Sequence, residues 1–317
     1  MMYVMTAAGL VVLFLASETL VRGSVGLARS LCVPPLLIGL TVVAFGTSAP
    51  ELFVGVKAAF NGLPALSLGN IVGSNIANIW LVLGVSAMLA ATPCNQPGLR
   101  RNLVFMLGAT AVFILFAFDG KVGRASGVVL LLLLAGFLGY SIYKGLHSRA
   151  ASREIEESLD DIASGDAPLW LDFIWLIVGL VGLPVGAHLV IRGGEAIAHA
   201  FGVSDALIGL TIVAIGTSLP ELATTIAAAV RKHVDVAVGN VIGSNLFNLL
   251  AIGGVTASLV PLPVPSEFLA FDFWVMTAAA VSLLPFALLR RNIRWLAGFL
   301  YLFGYIGYLT FIVTTRA

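Results

Sequence analysis

The sequence predicts an all-α membrane protein of ten transmembrane helices, arranged as two inverted five-helix repeats. Three observations predict it: ten apolar runs long enough to cross a bilayer, an internal repeat at a shift of 170 residues, and one polar stretch with five runs on either side. Of the 317 residues, 59% are hydrophobic and 10% charged, with a mean hydropathy of +1.04. That leaves too little polar surface to cover a water-soluble globule.

A bilayer core about 30 Å thick takes roughly 20 apolar residues per helix. The apolar runs lie near 4–27, 36–58, 66–91, 102–118, 125–145, 170–199, 207–230, 236–259, 271–289 and 295–314. The first run has no basic segment before it and no small-residue cleavage site after it, so it predicts a retained helix and not a removed signal peptide. HSRAASREIEESLDDIASGDAP, from His147 to Pro168, is the one long polar stretch, and a charge run of this kind is a solvated connector. The expected organisation is a first repeat over 1–145, a connector over 146–169 and a second repeat over 170–317.

With the first residue outside the cell, the cytoplasmic loops hold 12 of the 17 Lys and Arg, and the outer loops hold 5. The excess of basic residues on the inner side predicts both termini outside and the connector in the cytoplasm, in the cell membrane. Cys32 and Cys94 lie beside no His or acidic cluster, so small buried thiols are expected and not a disulfide framework or a thiolate metal site. A net charge of +1 without a basic, aromatic-interleaved patch sets nucleic acid aside as a partner. The expected partner is the lipid bilayer, and no obligate protein partner is evident.

The repeat aligns LIGLTVVAFGTSAPELFVGVKAAFNGLPALSLGNIVGSNIAN (37–78) with LIGLTIVAIGTSLPELATTIAAAVRKHVDVAVGNVIGSNLFN (207–248) without gaps, with 21 of 42 positions identical. Five helices per half is an odd number, so the second copy enters the membrane from the opposite side. Transporters built this way bind substrate near the midplane, where the halves meet. The matching positions are the polar ones, the opposite of what packing against lipid selects. In the four repeat helices the only acidic residues are Glu51 and Glu221, and they are a pair at the same shift. A carboxylate at this depth costs a few kcal/mol, which a bound cation offsets.

In Gly46-Thr47-Ser48-Ala49-Pro50-Glu51, Pro50 lacks an N–H and crowds the Gly46 carbonyl, so a kink with freed backbone oxygens is expected. Thr47 and Ser48 stand four and three residues before Glu51, which puts two hydroxyls and a carboxylate on one helical face. Thr217, Ser218 and Glu221 repeat the arrangement around Pro220. In the next helix of each half, Ser74 with Asn78, and Ser244 with Asn248, are again four apart. Taken singly, these residues also suit a helix kink or interhelical hydrogen bonding, and Gly69, Gly73, Gly239 and Gly243 suit close packing. Duplication of the whole set favours a site. Its donors are hard oxygens, which fit Ca²⁺ or Na⁺ and disfavour Zn²⁺, Cu or the tightly octahedral Mg²⁺. Two carboxylates balance one Ca²⁺.

GTSAPE with GNIVGSNIAN, and GTSLPE with GNVIGSNLFN, resemble the two alpha repeats of the sodium/calcium exchanger family, in its compact prokaryotic form, over essentially the whole chain. The resemblance implies an ion cluster of Glu51, Thr47, Ser48 and the Ala44 carbonyl with Ser74 and Asn78, completed by Glu221, Thr217, Ser218 and the Ala214 carbonyl with Ser244 and Asn248. It implies a core of eight helices past which the first and sixth slide. It further implies a secondary active antiporter exchanging three Na⁺ inward for one Ca²⁺ outward by alternating access. Na⁺ and Ca²⁺ are then substrates and no cofactor is expected. Some members carry Asp where Asn248 stands, and its amide weakens a potassium-coupled reading. The proton/calcium branch shows a GNxxE-type motif in place of GTSxPE.

Glu18 aligns with His188, and both fall in the helices expected to slide, so gating contacts are expected of them. The alternatives are H⁺/Ca²⁺ or other cation antiport and, in a different class, a cation channel. An intramembrane enzyme needs a nucleophile or an open metal position, and no HExxH or GxSxG motif supplies one. No enzyme activity is expected.

Overall fold

The computed structural model of the chain describes residues 1–31, 33–96, 98–146, 168–201 and 214–316. Most of the expected connector, and the start of the run expected over 207–230, lie outside the described residues, as does Cys32. The helices are α1 (Met2–Ser30), α2 (Pro35–Thr47), α3 (Ala49–Phe60), α4 (Pro64–Leu89), α5 (Leu99–Ala117) and α6 (Arg124–Leu146). They continue as α7 (Leu169–Ala200), α8 (Ala214–Thr217), α9 (Leu219–Val230), α10 (Val234–Leu259), α11 (Phe268–Leu289) and α12 (Trp295–Arg316). Among the described residues eight helices are long and apolar enough to cross a membrane, and the bent pair α2–α3 makes a ninth. One short antiparallel pair, β1 (Lys121–Val122) with β2 (Leu262–Pro263), ties two loops together. The chain is an all-helical membrane protein.

Burial sorts the helices into two groups. The membrane window of α10 is 100% buried within the protein and that of α4 72%, whereas those of α1 and α7 are 33% and 28% buried. Helices α4 and α10, which carry the paired Ser and Asn residues, therefore form the centre, and α1 and α7 lie at the flank with much of their surface on lipid.

Helices α1 and α7 pack on each other through glycines. A methyl added at Gly186 would lie 2.8 Å from the Leu13 nitrogen, one at Gly179 2.5 Å from Leu20 Cβ, and one at Gly9 2.8 Å from the Val190 nitrogen. The numbers fall on one helix as they rise on the other, so the two helices run antiparallel, backbone against backbone. In lipid, where no hydrophobic force drives helices together, such close approach between small residues supplies the packing. Along α2 and α10 the numbers rise together. Methyls added at Gly239 and Gly243 would press on the carbonyls of Leu36 (2.7 Å) and Leu40 (2.6 Å), so those two helices run parallel.

Candidate functional site

The site begins where two helices break. Ser48 separates α2 from α3 with φ −87° and ψ 3°, and Ser218 separates α8 from α9 with φ −87° and ψ 5°. Pro50 and Pro220, just after each break, have no N–H to give the carbonyls of Gly46 and Gly216, and the α2–α3 pair bends by 44°. The two breaks are not closed alike. The Ser48 N–H bonds the Ala44 carbonyl at 3.0 Å, whereas the Ser218 N–H turns to the Ile215 carbonyl at 3.1 Å. The glycines of both motifs face α7, Gly46 against Leu180 and Gly216 against Ile191, where side chains would collide.

Glu51 and Glu221 follow the breaks in the first turns of α3 and α9, and each is 1% exposed. They lie within electrostatic reach of one another. Among the described residues neither carboxylate meets a basic side chain. Ser48 donates its hydroxyl to Glu221 Oε1 at 3.0 Å, from the other half of the chain. The side chains of Thr47 and Ser244 lie near the Glu221 carboxyl. Thr47 Oγ1 lies 3.4 Å from Ser244 Oγ and 3.1 Å from Asn240 Oδ1.

The mirror contact is not made. Ser218 Oγ and Glu51 Oε2 are both buried without a partner, as is Glu221 Oε2. Asn78 and Asn248 are buried with neither side-chain oxygen nor nitrogen satisfied. Both sit in π-helical turns, Asn78–Leu83 of α4 and Phe247–Ile252 of α10. The wider turn of a π segment shifts side-chain direction and occurs often at functional sites. The segment holding Asn78 packs against α9, and that holding Asn248 against α3, so each faces the carboxylate helix of the other half. An unmet buried polar atom costs about 1–3 kcal/mol. Several such atoms beside two unneutralised carboxylates make a set of oxygens fitted to a cation.

Of the expected residues, Ser48 is joined to Glu221 and Thr47 to Ser244, each across the two halves. Glu51 lies beside them, and Ser74 in α4, Thr217 in α8 and Ser218 at the break before α9 are buried. Ala44 is buried with its carbonyl accepting at the break, and Ala214 opens α8. Glu18 and His188 are not brought together. The antiparallel pairing of α1 and α7 leaves them seven residues out of step, about 10 Å along the axis. Glu18 instead forms an ion pair with Arg231, just past the end of α9, and His188 is exposed.

Asn240 and Thr225 belong to the site and carry no role in the motif argument. Asn240 accepts from Thr47 and donates to Thr225 Oγ1 at 3.1 Å, which fixes the direction of its amide and of the Thr47 hydroxyl. Its counterpart Asn70 donates to the Glu51 carbonyl at 3.0 Å. The signal was present in the sequence, since both asparagines sit in the Gly-Asn pairs of the aligned blocks.

The family model for the sodium/calcium exchanger protein matches residues 1–143 and 171–314. The chain belongs to the sodium/calcium exchanger family. This exchanger-family chain is 30% identical over 337 residues to the sodium/calcium exchanger MaX1 of Methanosarcina acetivorans, with 95% of each chain covered. A more distant relative, the Ca²⁺/H⁺ antiporter ChaA of Bacillus subtilis, is 24% identical over 80% of this chain and 77% of its own. A structure of the sodium-calcium exchanger NCX_Mj, soaked with 2.5 mM Na⁺ and 0.1 mM Ca²⁺, superimposes with a TM-score of 0.84 at 32% identity, covering 100% of this chain and 98% of that one. The family is one of antiporters, and its member described here is a multi-pass membrane protein.

Proposed function

We propose that this chain is a secondary active antiporter that moves three Na⁺ inward for each Ca²⁺ outward. One observation carries the reading. Two buried carboxylates, unneutralised by any basic group among the described residues, sit with unpartnered hydroxyl and amide oxygens drawn from both halves of the chain. The ligands are Glu51, Glu221, Thr47, Ser48, Thr217, Ser218, Ser74, Ser244, Asn78 and Asn248, with the Ala44 and Ala214 carbonyls. Six to eight oxygens suit one Ca²⁺, and the same oxygens divide among several Na⁺. Similarity to MaX1 and to NCX_Mj supports Na⁺ as the coupling ion.

The architecture is two inverted repeats of five helices, with both termini outside and the connector in the cytoplasm. The antiparallel run of α1 against α7, first helices of their repeats, and the parallel run of α2 with α10 support it. The unequal hydrogen bonding of Ser48 and Ser218 supports one of two exchangeable arrangements. In the other arrangement the bonds would trade places as α1 and α7 slide across Gly46 and Gly216. Glu18, through Arg231, ties the sliding pair to the core.

Proton exchange is the second reading. The ChaA relative favours it, and so do the free oxygens of Glu51 and Glu221, each of which has room for a proton. Ca²⁺ uptake into proteoliposomes with Na⁺, with a pH gradient, or with neither separates the two. Uptake that follows the Na⁺ gradient supports the first reading. Uptake that follows pH and ignores Na⁺ overturns it.

A further inference from the structure

A groove of about 620 Å³ opens between α5 and α6, and neither Glu51 nor Glu221 lines it. Its walls are apolar, with Val104, Phe105 and Val112 on α5 and Leu133 and Phe137 on α6, and its floor is Leu246 and Leu250 of α10. The volume lies within the range of about 300–1,000 Å³ typical of ligand sites. Gly108 keeps part of it open, since nothing lies within 4 Å of a methyl added there.

Two arginines stand at one end. Arg100 donates through Nε to the Ala287 carbonyl at 2.9 Å and through Nη2 to the Leu288 carbonyl at 2.6 Å, at the C-terminal end of α11. Arg101 donates to Asn102 Oδ1 at 3.2 and 3.3 Å and lies 5.3 Å from the centroid of the Tyr140 ring, itself part of the groove. Every one of these partners is neutral. Among the described residues neither guanidinium meets a carboxylate, and each keeps N–H donors to spare. From Arg101 to Val112 the groove follows eleven residues of α5, about 16 Å of helix. That is the depth of one leaflet of a bilayer core about 30 Å thick.

We propose that this groove binds an anionic phospholipid from the surrounding bilayer, with its phosphate on Arg100 and Arg101 and one acyl chain between α5 and α6. Two positive charges with no carboxylate partner among the described residues, at the interface end of an apolar slot one leaflet deep, match a negative headgroup joined to a hydrocarbon chain. Basic pockets between membrane helices recognise acidic headgroups on these terms. A soluble anion leaves the apolar walls unmet, and a zwitterionic lipid brings no net charge to the arginines. The acyl chain would rest on Leu246 and Leu250, either side of Asn248, so the lipid would bear on the helix that carries two of the proposed ion ligands, Ser244 and Asn248. The proposal stands independently of which ion drives exchange.

Delipidated protein is mixed with equal amounts of dioleoyl phosphatidylglycerol and dioleoyl phosphatidylcholine, and retained lipid is counted by native mass spectrometry. The wild type should hold phosphatidylglycerol in preference. Arg101→Gln should lower that retention about five-fold, the effect of one interfacial charge, and leave phosphatidylcholine unchanged. Gly108→Phe, whose first added atom meets nothing within 4 Å, sets a ring in the groove and should release lipid of both kinds. Equal retention of the two lipids by the wild type, or wild-type retention by Gly108→Phe, overturns the proposal. Unfolding temperatures verify that each variant is folded, and should one fail, the wild-type competition and the other variant decide.

Discussion

Glu221→Gln keeps the shape of the side chain and leaves an oxygen to accept the Ser48 hydroxyl, now held at 3.0 Å, while it removes one of the two charges. Ca²⁺ in the altered site faces one carboxylate, so one positive charge stands uncompensated within the membrane. Insertion scales put such a charge at about 2.5–3.5 kcal/mol, which weakens Ca²⁺ binding roughly 60- to 300-fold. The effect is measurable as lost stabilisation. A ligand at a hundred times its Kd stabilises the fold by about 2.7 kcal/mol, and a hundred-fold weaker Kd leaves about 0.4 kcal/mol at the same concentration. Purified Glu221→Gln should therefore lose most of the Ca²⁺-dependent rise in unfolding temperature. Its ion-free unfolding temperature should stay the same or rise, because two neighbouring carboxylates repel each other. A variant that keeps the wild-type rise and near-normal flux would show that Glu221 does not hold the ion.

Ser48→Ala removes a hydrogen bond to a buried carboxylate and should cost about 1.5–3 kcal/mol of ion-free stability, whereas Ser218→Ala, whose hydroxyl is unpartnered, should cost little. Both should lower Ca²⁺ transport, and equal losses of stability would contradict the asymmetry. Gly179→Leu drives a side chain into Leu20, 2.5 Å from the first added atom, and should separate α1 from α7 at a cost of about 1–3 kcal/mol. Turnover should fall more than equilibrium Ca²⁺ binding, and normal turnover would show that the close pairing of α1 with α7 is not needed for them to move past the core. Burial pushes the Cys94 thiol up to about 11, against a smaller opposing effect of the Ile293 N–H. The thiol is therefore protonated throughout pH 7–9 and should resist maleimide in the folded protein; rapid labelling at pH 7.5 would show that the loop between α4 and α5 opens.

The sequence made the polar pairs legible because they break the rule of a lipid-exposed helix, twice, at one spacing. Pro50 and Pro220 marked the helix breaks for the same reason. What it left out is what a repeat by nature cannot carry. Sequence identity at a shift of 170 treats the halves as equal, but the Ser48–Glu221 bond has no Ser218–Glu51 twin. Glu18 and His188 correspond in alignment, yet antiparallel helices bring together positions that advance in opposite directions, and the two do not meet. The π turns at Asn78 and Asn248 have no local composition to announce them, since Asn-Ile-Trp-Leu and Phe-Asn-Leu-Leu suit an α-helix equally well. Asn240 stood in plain view, and only the packing of α2 on α10 shows that its partner is Thr47.

Charge counting gives the most direct test of the central claim. Three Na⁺ against one Ca²⁺ carry one net positive charge across the membrane per cycle, whereas two H⁺ on Glu51 and Glu221 against one Ca²⁺ carry none. A potential of 100 mV acting on one charge is worth about 2.3 kcal/mol, close to fifty-fold in the Ca²⁺ gradient that exchange can sustain. Proteoliposomes clamped with potassium and valinomycin should show Ca²⁺ flux that requires an opposing Na⁺ gradient and shifts with voltage by that amount. Ca²⁺ flux that ignores both Na⁺ and voltage while moving protons the other way would contradict the account.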